Sequence, residues 1–408
     1  MNTVFINAQI FDGSGSELFK GELRIEDNRI QAVTKFPETV SQDNARVIDC
    51  QGQVVMPGLV EAHAHLTWPT SVEKFVPGMY LPPEELALTC ARNARILLDH
   101  GFTSAYSAGS LSKSLEIALN EHIVSGGLPG PRLIPSSVER EPPNESELDP
   151  GHVEQHGKGP AAMSAFVKEC AVIGAKAVKF LISGESALKP GASHELLYSE
   201  AELQAAGKQA RESDVWLTGH AHAAEAVKMG VRSGFRILYH CTYADDEAIE
   251  LLAEHKDSLF VAPTIGIVQA TLDATPPPHM NMSHMKEDAA IVLEHQKALV
   301  PKLRARGVRL LPGGDYGFPF NPNGRNAWDL ELWVRHFGYT PSEALNAATE
   351  LGGQLMDLDV GLIKQGYLAD LLLVDGDPTQ DVRVLQDKNK LTAIMKDGKF
   401  HKAPEALS

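Results

Sequence analysis

Between residues 58 and 355, short apolar runs rich in β-forming residues alternate with longer amphipathic stretches, and this rhythm restricts the possible folds most strongly. The intervening stretches carry apolar residues at i, i+3 and i+4, as in 199–213, 246–255 and 286–307, which predicts helices. Eight strands joined by such helices predict an α/β fold of the (β/α)₈ TIM-like barrel type. The predicted strands are 58–65, 102–108, 131–137, 175–182, 215–222, 235–240, 259–264 and 308–314.

Both ends of the chain carry a different pattern, that of strands closed by Gly, Asn or Asp turn residues. We expect these distant segments to pair into a small composite β-sandwich domain. Its predicted extent is 1–57 plus 356–408, with the barrel spanning 58–355. The segments concerned are 3–11, 22–33, 45–56, 367–378 and 391–400.

Composition excludes several classes of partner. The 408 residues contain 37 Lys and Arg against 53 Asp and Glu, a formal net charge of −16, and no basic run. Such a charge repels phosphate backbones, so neither nucleic acid nor an anionic membrane is an expected partner. No apolar stretch long enough to span a membrane and no leader-like segment is present, and the 4 cysteines lack C-x-x-C spacing. We therefore expect a cytoplasmic protein.

Metal-ligand residue types stand at the ends of five predicted strands. Catalytic groups of such barrels lie at the carboxyl ends of the strands and on the loops that follow. His63 and His65 are two apart on a strand, so both imidazoles project from the same face and can converge on one ion. The remaining strand-end candidates are Lys179, His220, His240 and Asp315.

Each candidate alone has an ordinary explanation. A single strand-end histidine is commonly a satisfied polar residue, and Asp315 after Gly313-Gly314 is typical of a turn or a helix N-cap. Lys179 lies in the apolar run AVKFLI, where a buried amine is costly unless it is modified or paired. Five strands ending in such groups together favour a metal centre, because imidazole and carboxylate are ligands of divalent transition metals.

Several motifs resemble those of the amidohydrolase superfamily. The run VVMPGLVEAHAHL (54–66) is similar to its Pro-Gly-Leu-x-Asp-x-His-x-His signature, with Glu61 in place of Asp. AKAVKF resembles the strand that carries a carboxylated lysine, and PGGDYG the strand-8 Gly-Thr-Asp, with Gly314 in place of Thr. The region GHAHAAEAVKMGVRSGFRILYH is most similar to the imidazolonepropionase-like branch, which includes metal-dependent prolidases.

The resemblance implies a binuclear metal hydrolase. Two divalent ions, zinc first with Mn, Co or Fe as alternatives, would be bridged by a CO₂-derived carbamate on Lys179. A metal-bound hydroxide would hydrolyse a C–N bond of a small amide, carbamate, urea or N-acyl compound, with Asp315 moving the proton. One ion would be held by His63, His65 and Asp315, and the other by His220 and His240.

Departures from the family pattern leave alternatives open. The Gly-Gly-His of peptidase relatives reads PSSVEREPP (135–143), which lowers the expectation of a Xaa-Pro or Xaa-Arg dipeptidase. His152, His156 and Arg325 are weak candidates for substrate binding. Solvated loop positions are the favoured explanation for the two histidines, and surface solvation explains Arg325 at least as well. The Arg-Asp expected after the second strand reads Tyr106-Ser107.

Three further expectations concern other activities, loops and assembly. A mononuclear deaminase using His222 and Glu225 and a catalytically inactive scaffold remain alternatives. Loops 138–160 and 270–285 are candidate lids, in which Met280, Met282 and Met285 either line a pocket or pack the lid onto the barrel. The resemblance also implies a homo-oligomer acting on a small-molecule substrate.

Overall fold

The computed structural model describes residues 2–70, 81–140, 157–276 and 281–404. Five strands open the chain, and in the second, Phe19–Glu26, buried positions alternate with more exposed ones, as expected for a strand with one face on a core. They are β1 (Asn2–Ile10), β2 (Phe19–Glu26), β3 (Arg29–Lys35), β4 (Ala45–Asp49) and β5 (Val54–Pro57).

Eight strands follow in the middle of the chain, one at each predicted position. Four of them are buried along their whole length and the other four everywhere except at one or both ends, as expected for parallel strands covered on both faces. They are β6 (Leu59–Ala64), β7 (Phe102–Ser107), β8 (Arg132–Ile134), β9 (Ala177–Leu181), β10 (Trp216–Ala223), β11 (Ile237–Tyr243), β12 (Phe260–Ala262) and β13 (Arg309–Leu310).

Helices separate these strands and continue after the last one. The helix Glu200–Ser213 begins with a capping box formed by Ser199 and Glu202. The helices are α1 (Pro83–Asp99), α2 (Leu115–Val124), α3 (Pro160–Val172), α4 (Glu200–Ser213), α5 (Ala224–Ser233), α6 (Asp246–Glu254), α7 (Ile265–Asp273), α8 (Ser283–Ala305), α9 (Trp328–Phe337), α10 (Pro341–Ala348) and α11 (Glu350–Met356).

The two ends of the chain meet in one sheet, where the sequence analysis expects a composite β-sandwich. Its last strands are β14 (Leu371–Val374), β15 (Leu391–Lys396) and β16 (Lys399–Lys402), and β14 pairs antiparallel with β5. The order is β16-β15-β14-β5-β1-β2-β3, with β4 beside β1. Because β1 pairs with β4 through its first half and with β5 through its second, all eight strands form one continuous sheet rather than two separate ones.

The middle strands form two parallel sheets. Strands β6, β7 and β8 make one, and β9 to β13 make the other in sequential order. Isolated parallel bridges link Ser136 to Ala177 and Ala64 to Tyr316, at the two places where the sheets approach each other. The carboxyl ends of all eight strands therefore face the same side, as parallel pairing requires.

Two of the four apolar clusters among the described residues border the eight-stranded sheet. The larger one packs the helices against β6 to β13 and reaches the inner face of the eight-stranded sheet through residues such as Met56 and Leu372. A smaller one, with Phe5, Leu23 and Leu371, fills the other face of that sheet. Within the residues described, no helix combines the length and apolar character that crossing a membrane requires.

Candidate metal centre

His63, His65 and Asp315 come together at the carboxyl ends of β6 and β13. One ligating atom from each lies within 4.8 Å of the others, and all three residues are buried. Asp315 Oδ1 is 3.2 Å from His65 Nε2 and 3.6 Å from His63 Nε2. The alternation of β6 places both imidazoles on one face, as the two-residue spacing predicts.

Neighbouring groups fix the orientation of these two rings. His65 Nδ1 faces the Gly109 carbonyl oxygen at 3.2 Å, and its ring stacks on Trp68 at 3.7 Å. His63 stacks on Tyr239 at 3.8 Å. Such outer contacts turn the Nε2 atoms toward Asp315 and hold the imidazoles ready for an ion.

A second cluster lies on β10 and β11, from the middle of each strand toward its carboxyl end. His220, His222 and His240 each place a ring nitrogen within 4.8 Å of the others, and all are buried. His240 Nδ1 is 2.5 Å from Thr264 Oγ1, which leaves Nε2 directed at the cluster. His222 is engaged on both ring nitrogens, with Thr242 Oγ1 at 2.8 Å and Glu185 Oε2 at 3.1 Å.

The electrostatics of the buried imidazoles suit metal binding. Burial lowers the pKa of His63 and His240 well below its usual value and that of His220 to about 3. The positive charge of Lys179 lowers these pKa values further, because it opposes a second charge close by. These histidines are therefore neutral, which is the form that binds metals.

Lys179 lies close to both clusters. Its Nζ donates a hydrogen bond to the Ala108 carbonyl oxygen at 2.8 Å and stands 4.8 Å from the centre of the Tyr239 ring. Its charge acts on His63 of the first cluster and on His220 and His240 of the second. All six predicted ligands are thus brought together around one cavity.

The donor set fits divalent metal ions. Within the described chain, Asp315 Oδ1 and His63 Nδ1 are buried without a hydrogen-bond partner, although buried polar atoms are normally paired. Asp315 Oδ1 points at both imidazoles of its cluster, so a shared cation would satisfy it. Imidazole nitrogens with a carboxylate oxygen are a donor combination of zinc and its neighbours.

Backbone strain concentrates at this site. Four non-glycine residues that carry or adjoin it have positive φ: His240 at 69°, Cys241 at 53°, Thr264 at 63° and Asp315 at 58°. Side chains rarely adopt this conformation, and it persists where the surroundings impose it, typically at functional sites.

The departure at Gly314 has a steric reason. A Cβ at position 314 would lie 2.5 Å from the Tyr316 ring, and one at Gly313 would lie 2.9 Å from His63 Cβ. Asp329 Oδ2 accepts a hydrogen bond from the Gly313 amide at 3.0 Å and so fixes the approach to Asp315. The threonine of the family pattern does not fit beside Tyr316.

Glu139 is a member of the site that sequence reasoning missed. Its Oε1 is 3.6 Å from His65 Nδ1 and its Oε2 is 3.9 Å from Lys179 Nζ. Arg140 pairs with β9, its amide donating to the Lys179 carbonyl and its carbonyl accepting from Leu181. Since Arg140 packs outward over Phe166, alternation turns Glu139 toward the cavity.

The structure places the weaker candidates from the sequence away from the cavity or does not describe them. Arg325 is exposed, bonds the Phe320 carbonyl oxygen and lies over the Trp328 ring, and it does not line the cavity. Glu225 pairs with Lys228 and Arg232 on the outer side of α5, so it is not available to His222. His152 and His156 lie outside the described residues.

The candidate lids are partly described. Loop 138–160 is described to 140 and from 157, and 270–285 lacks 277–280, which includes Met280. Met285 lines the cavity, whereas Met282, directly before α8, is buried and does not line it. Of the two alternatives for these methionines, lining the pocket applies to Met285 and packing applies to Met282. Glu185, which bonds His222, is a further cavity residue that the sequence did not reveal.

Comparison with known proteins places this site in a family. The model of the amidohydrolase family matches residues 54–400, most of the chain. The chain therefore belongs to the amidohydrolase family, and it is a hydrolase acting on carbon–nitrogen bonds.

Individual relatives are similar over nearly the full length. The ochratoxinase of Aspergillus niger is 26% identical over an alignment of 435 positions, covering 98% of this chain and 87% of the relative. The crystal structure of that A. niger enzyme has a TM-score of 0.82 at 21% identity, covering 99% of this chain and 96% of the other. A Xaa-Pro dipeptidase with bound methionine has a TM-score of 0.83 at 24% identity, covering 99% and 100%.

Proposed function

We propose that this hydrolase cleaves a C–N bond in a small amide, carbamate, urea or N-acyl compound at a binuclear metal centre. The observation that carries the proposal is the pair of buried donor clusters with Lys179 beside both. His63, His65 and Asp315 would hold one ion, and His220 and His240 the other. A carbamate on Lys179 would bridge them, because carboxylation by CO₂ turns an amine into an oxygen ligand.

The fold proposed for this chemistry is a closed barrel. The bridges Ser136–Ala177 and Ala64–Tyr316 support closure of β6 to β13 into a (β/α)₈ barrel, since they join the two parallel sheets at both gaps. We accordingly assign 58–355 to the barrel and 1–57 plus 356–408 to a composite β-domain. The separate apolar cluster of the eight-stranded sheet supports this division.

In the proposed reaction, the metal ions, Asp315 and Asn321 would have different roles. Bound divalent ions would polarise the scissile carbonyl group and lower the pKa of a coordinated water toward neutrality. Asp315 would accept the proton of the attacking water and deliver it to the leaving nitrogen. Asn321 holds the Asp315 backbone in place, because its Nδ2 donates to the Asp315 and Gly314 carbonyl oxygens at 3.0 and 2.8 Å.

The other candidate activities receive less support. A deaminase relying on Glu225 is disfavoured because that carboxylate is engaged in ion pairs on the outer side of α5. An inactive scaffold is disfavoured because the full donor set is retained. A dipeptidase is the second candidate, since a Xaa-Pro dipeptidase shares the fold.

The substitution Asp315→Asn tests the proton transfer. The amide keeps one oxygen donor but cannot act as a base, so we expect kcat/KM for hydrolysis to fall by at least about 100-fold. Metal content, measured by elemental analysis of the same sample, distinguishes this loss from an empty site. Full activity of a metal-loaded Asp315→Asn variant would contradict the role given to Asp315.

A further inference from the structure

The cavity above the centre has an aromatic wall that begins at a ligand. Trp68 stacks on His65, with 3.7 Å between the ring centres and an angle of 10° between the ring planes. Phe318 meets Trp68 edge-on at 4.6 Å, and Phe320 lies nearly parallel to Phe318 at 5.7 Å. A flat apolar group placed next to the scissile bond would therefore contact π-surfaces directly.

The rest of the lining is largely aliphatic. Ile267 and Val268 of α7, Val292 of α8 and Leu188 of the loop after β9 all border the cavity. Burying an apolar group against such side chains is favourable in proportion to the area removed from water. The shape and chemistry of the cavity thus suit an aryl or branched alkyl substituent.

The charges that line the cavity are mostly negative. Glu139, Glu185 and Asp288 border it in addition to Asp315. Lys179 is the only lysine or arginine among the lining residues that the structure describes, and its Nζ is bound to the Ala108 carbonyl oxygen within the centre. Burial and the charge of Glu185 raise the pKa of Asp288, as expected where carboxylates share an apolar space.

These observations indicate which class of substrate the cavity would bind. Building on the proposed function, we infer that the substrate is an uncharged amide, carbamate or urea with an aryl group beside the scissile bond and no free carboxylate. A carboxylate in this cavity would lose its hydration, meet like charges and find no described cation outside the centre. Dipeptides carry such a carboxylate, so the site selects against them.

Two compounds that differ in one group test the inference. N-(2-phenylethyl)benzamide and N-benzoylphenylalanine share both rings and the scissile amide, and only the second has a carboxylate. We expect kcat/KM to be at least tenfold higher for the uncharged compound. Equal values, or a preference for the acid, would overturn the inference while leaving C–N hydrolysis intact.

Affinity measurements distinguish a failure of this inference from a failure of the proposed function. Titration calorimetry with the Asp315→Asn variant measures affinity without turnover, and we expect the uncharged compound to bind at least tenfold more tightly. Tighter binding together with no hydrolysis by the unmodified protein would reject the proposed function and keep the inference. Failure of both compounds to bind would overturn the aryl assignment.

A variant that lacks one carboxylate charge tests whether the acidic residues of the cavity cause the discrimination against the acid. Asp288→Asn keeps the shape of a cavity residue and removes one negative charge, so the ratio of kcat/KM between the uncharged compound and the acid should fall at least threefold. The control is Asp273→Asn, an exposed aspartate at the end of α7 that does not line the cavity. An unchanged ratio in Asp288→Asn, or an equal fall in the control, would overturn the inference.

Discussion

Lys179 is the residue on which assembly of the centre most depends. It is buried, its charge reaches imidazoles of both clusters, and it is the only residue proposed to contact both ions. In Lys179→Ala we expect metal content to fall to half or less, because the bridging oxygen donor is gone. Elemental analysis measures this, and added short-chain carboxylates should restore part of the activity by occupying the bridge.

Lys176→Ala is the matched control for that experiment. Lys176 directly precedes the strand that carries Lys179, but its side chain is exposed and faces Asp214. Its loss should leave metal content unchanged. Two ions per chain in Lys179→Ala would remove the carbamate from the mechanism.

The sequence predicts residues at strand ends better than those on loops. All six predicted ligands come together, since parallel strands bring their carboxyl ends to one side whatever the loop lengths. Glu139 and Glu185 were missed because their direction depends on loop contacts such as the Arg140–Lys179 backbone bond. Arg325 was a reasonable loop candidate, but its contact with Trp328 holds it away from the cavity.

At the scale of elements, the approach of α4 to α5 depends on a glycine. A Cβ at Gly207 would lie 1.9 Å from the Ser233 carbonyl oxygen at the end of α5. Helix propensity alone predicts that Gly207→Ala stabilises the protein by about 1 kcal/mol. The clash outweighs this gain, so Gly207→Ala should destabilise the protein. We expect a net loss of about 2 kcal/mol in the free energy of unfolding.

Urea unfolding measures the effect of Gly207→Ala. Lys208→Ala serves as the control, because Lys208 is the next residue of α4 and its side chain is 74% exposed. This control should change stability by less than about 0.5 kcal/mol. A stabilised Gly207→Ala variant would mean that the two helices are not held at this distance.

A buried glutamate on α2 gives the stability a defined pH dependence. Burial raises the pKa of Glu116 to about 8, against hydrogen bonds from Ser107 and the Ser136 amide that lower it. Between the ordinary pKa of 4.5 and about 8, the folded state binds more protons than the unfolded state. The contribution of Glu116 to stability is therefore complete below pH 4.5 and is lost as the pH rises toward 8.

Glu116→Gln tests this dependence because an amide cannot titrate. Between pH 5 and pH 8 we expect the unmodified protein to lose about 3 kcal/mol more unfolding free energy than the variant. Unfolding curves at several pH values measure the difference. Glu121→Gln, at an exposed position of the same helix, should follow the unmodified protein. A variant with an unchanged slope would show that Glu116 does not bind its proton in the folded state.

At the scale of the whole molecule, the sheet built from both chain ends is tied to the parallel strands. The Gly58 amide donates to the Asp370 carbonyl oxygen at 2.9 Å, and Arg132 bonds Asp370 and Asp397. A Cβ at Gly58 would lie 2.0 Å from Thr103 Oγ1, which explains the glycine that precedes the first parallel strand.

Much of this architecture could be predicted from the sequence, because periodicity reports burial. Each predicted strand is found, but β8, β12 and β13 are only 3, 3 and 2 residues long. Their apolar runs continue into segments that turn to build the site, such as Thr264 and Gly313. Hydrogen bonding between the two ends of the chain also joins what we expected as a sandwich into one sheet. Cytoplasmic location and homo-oligomer formation stay predictions.

The proposed mechanism depends on the binding of two ions in the paired clusters. Elemental analysis of protein purified without chelator or affinity tag tests it most directly. We expect close to two divalent ions per chain, of a transition metal such as zinc, manganese, cobalt or iron. A value near one would contradict the bridged centre, and a value near zero that added metal and bicarbonate do not raise would contradict metal-dependent hydrolysis altogether.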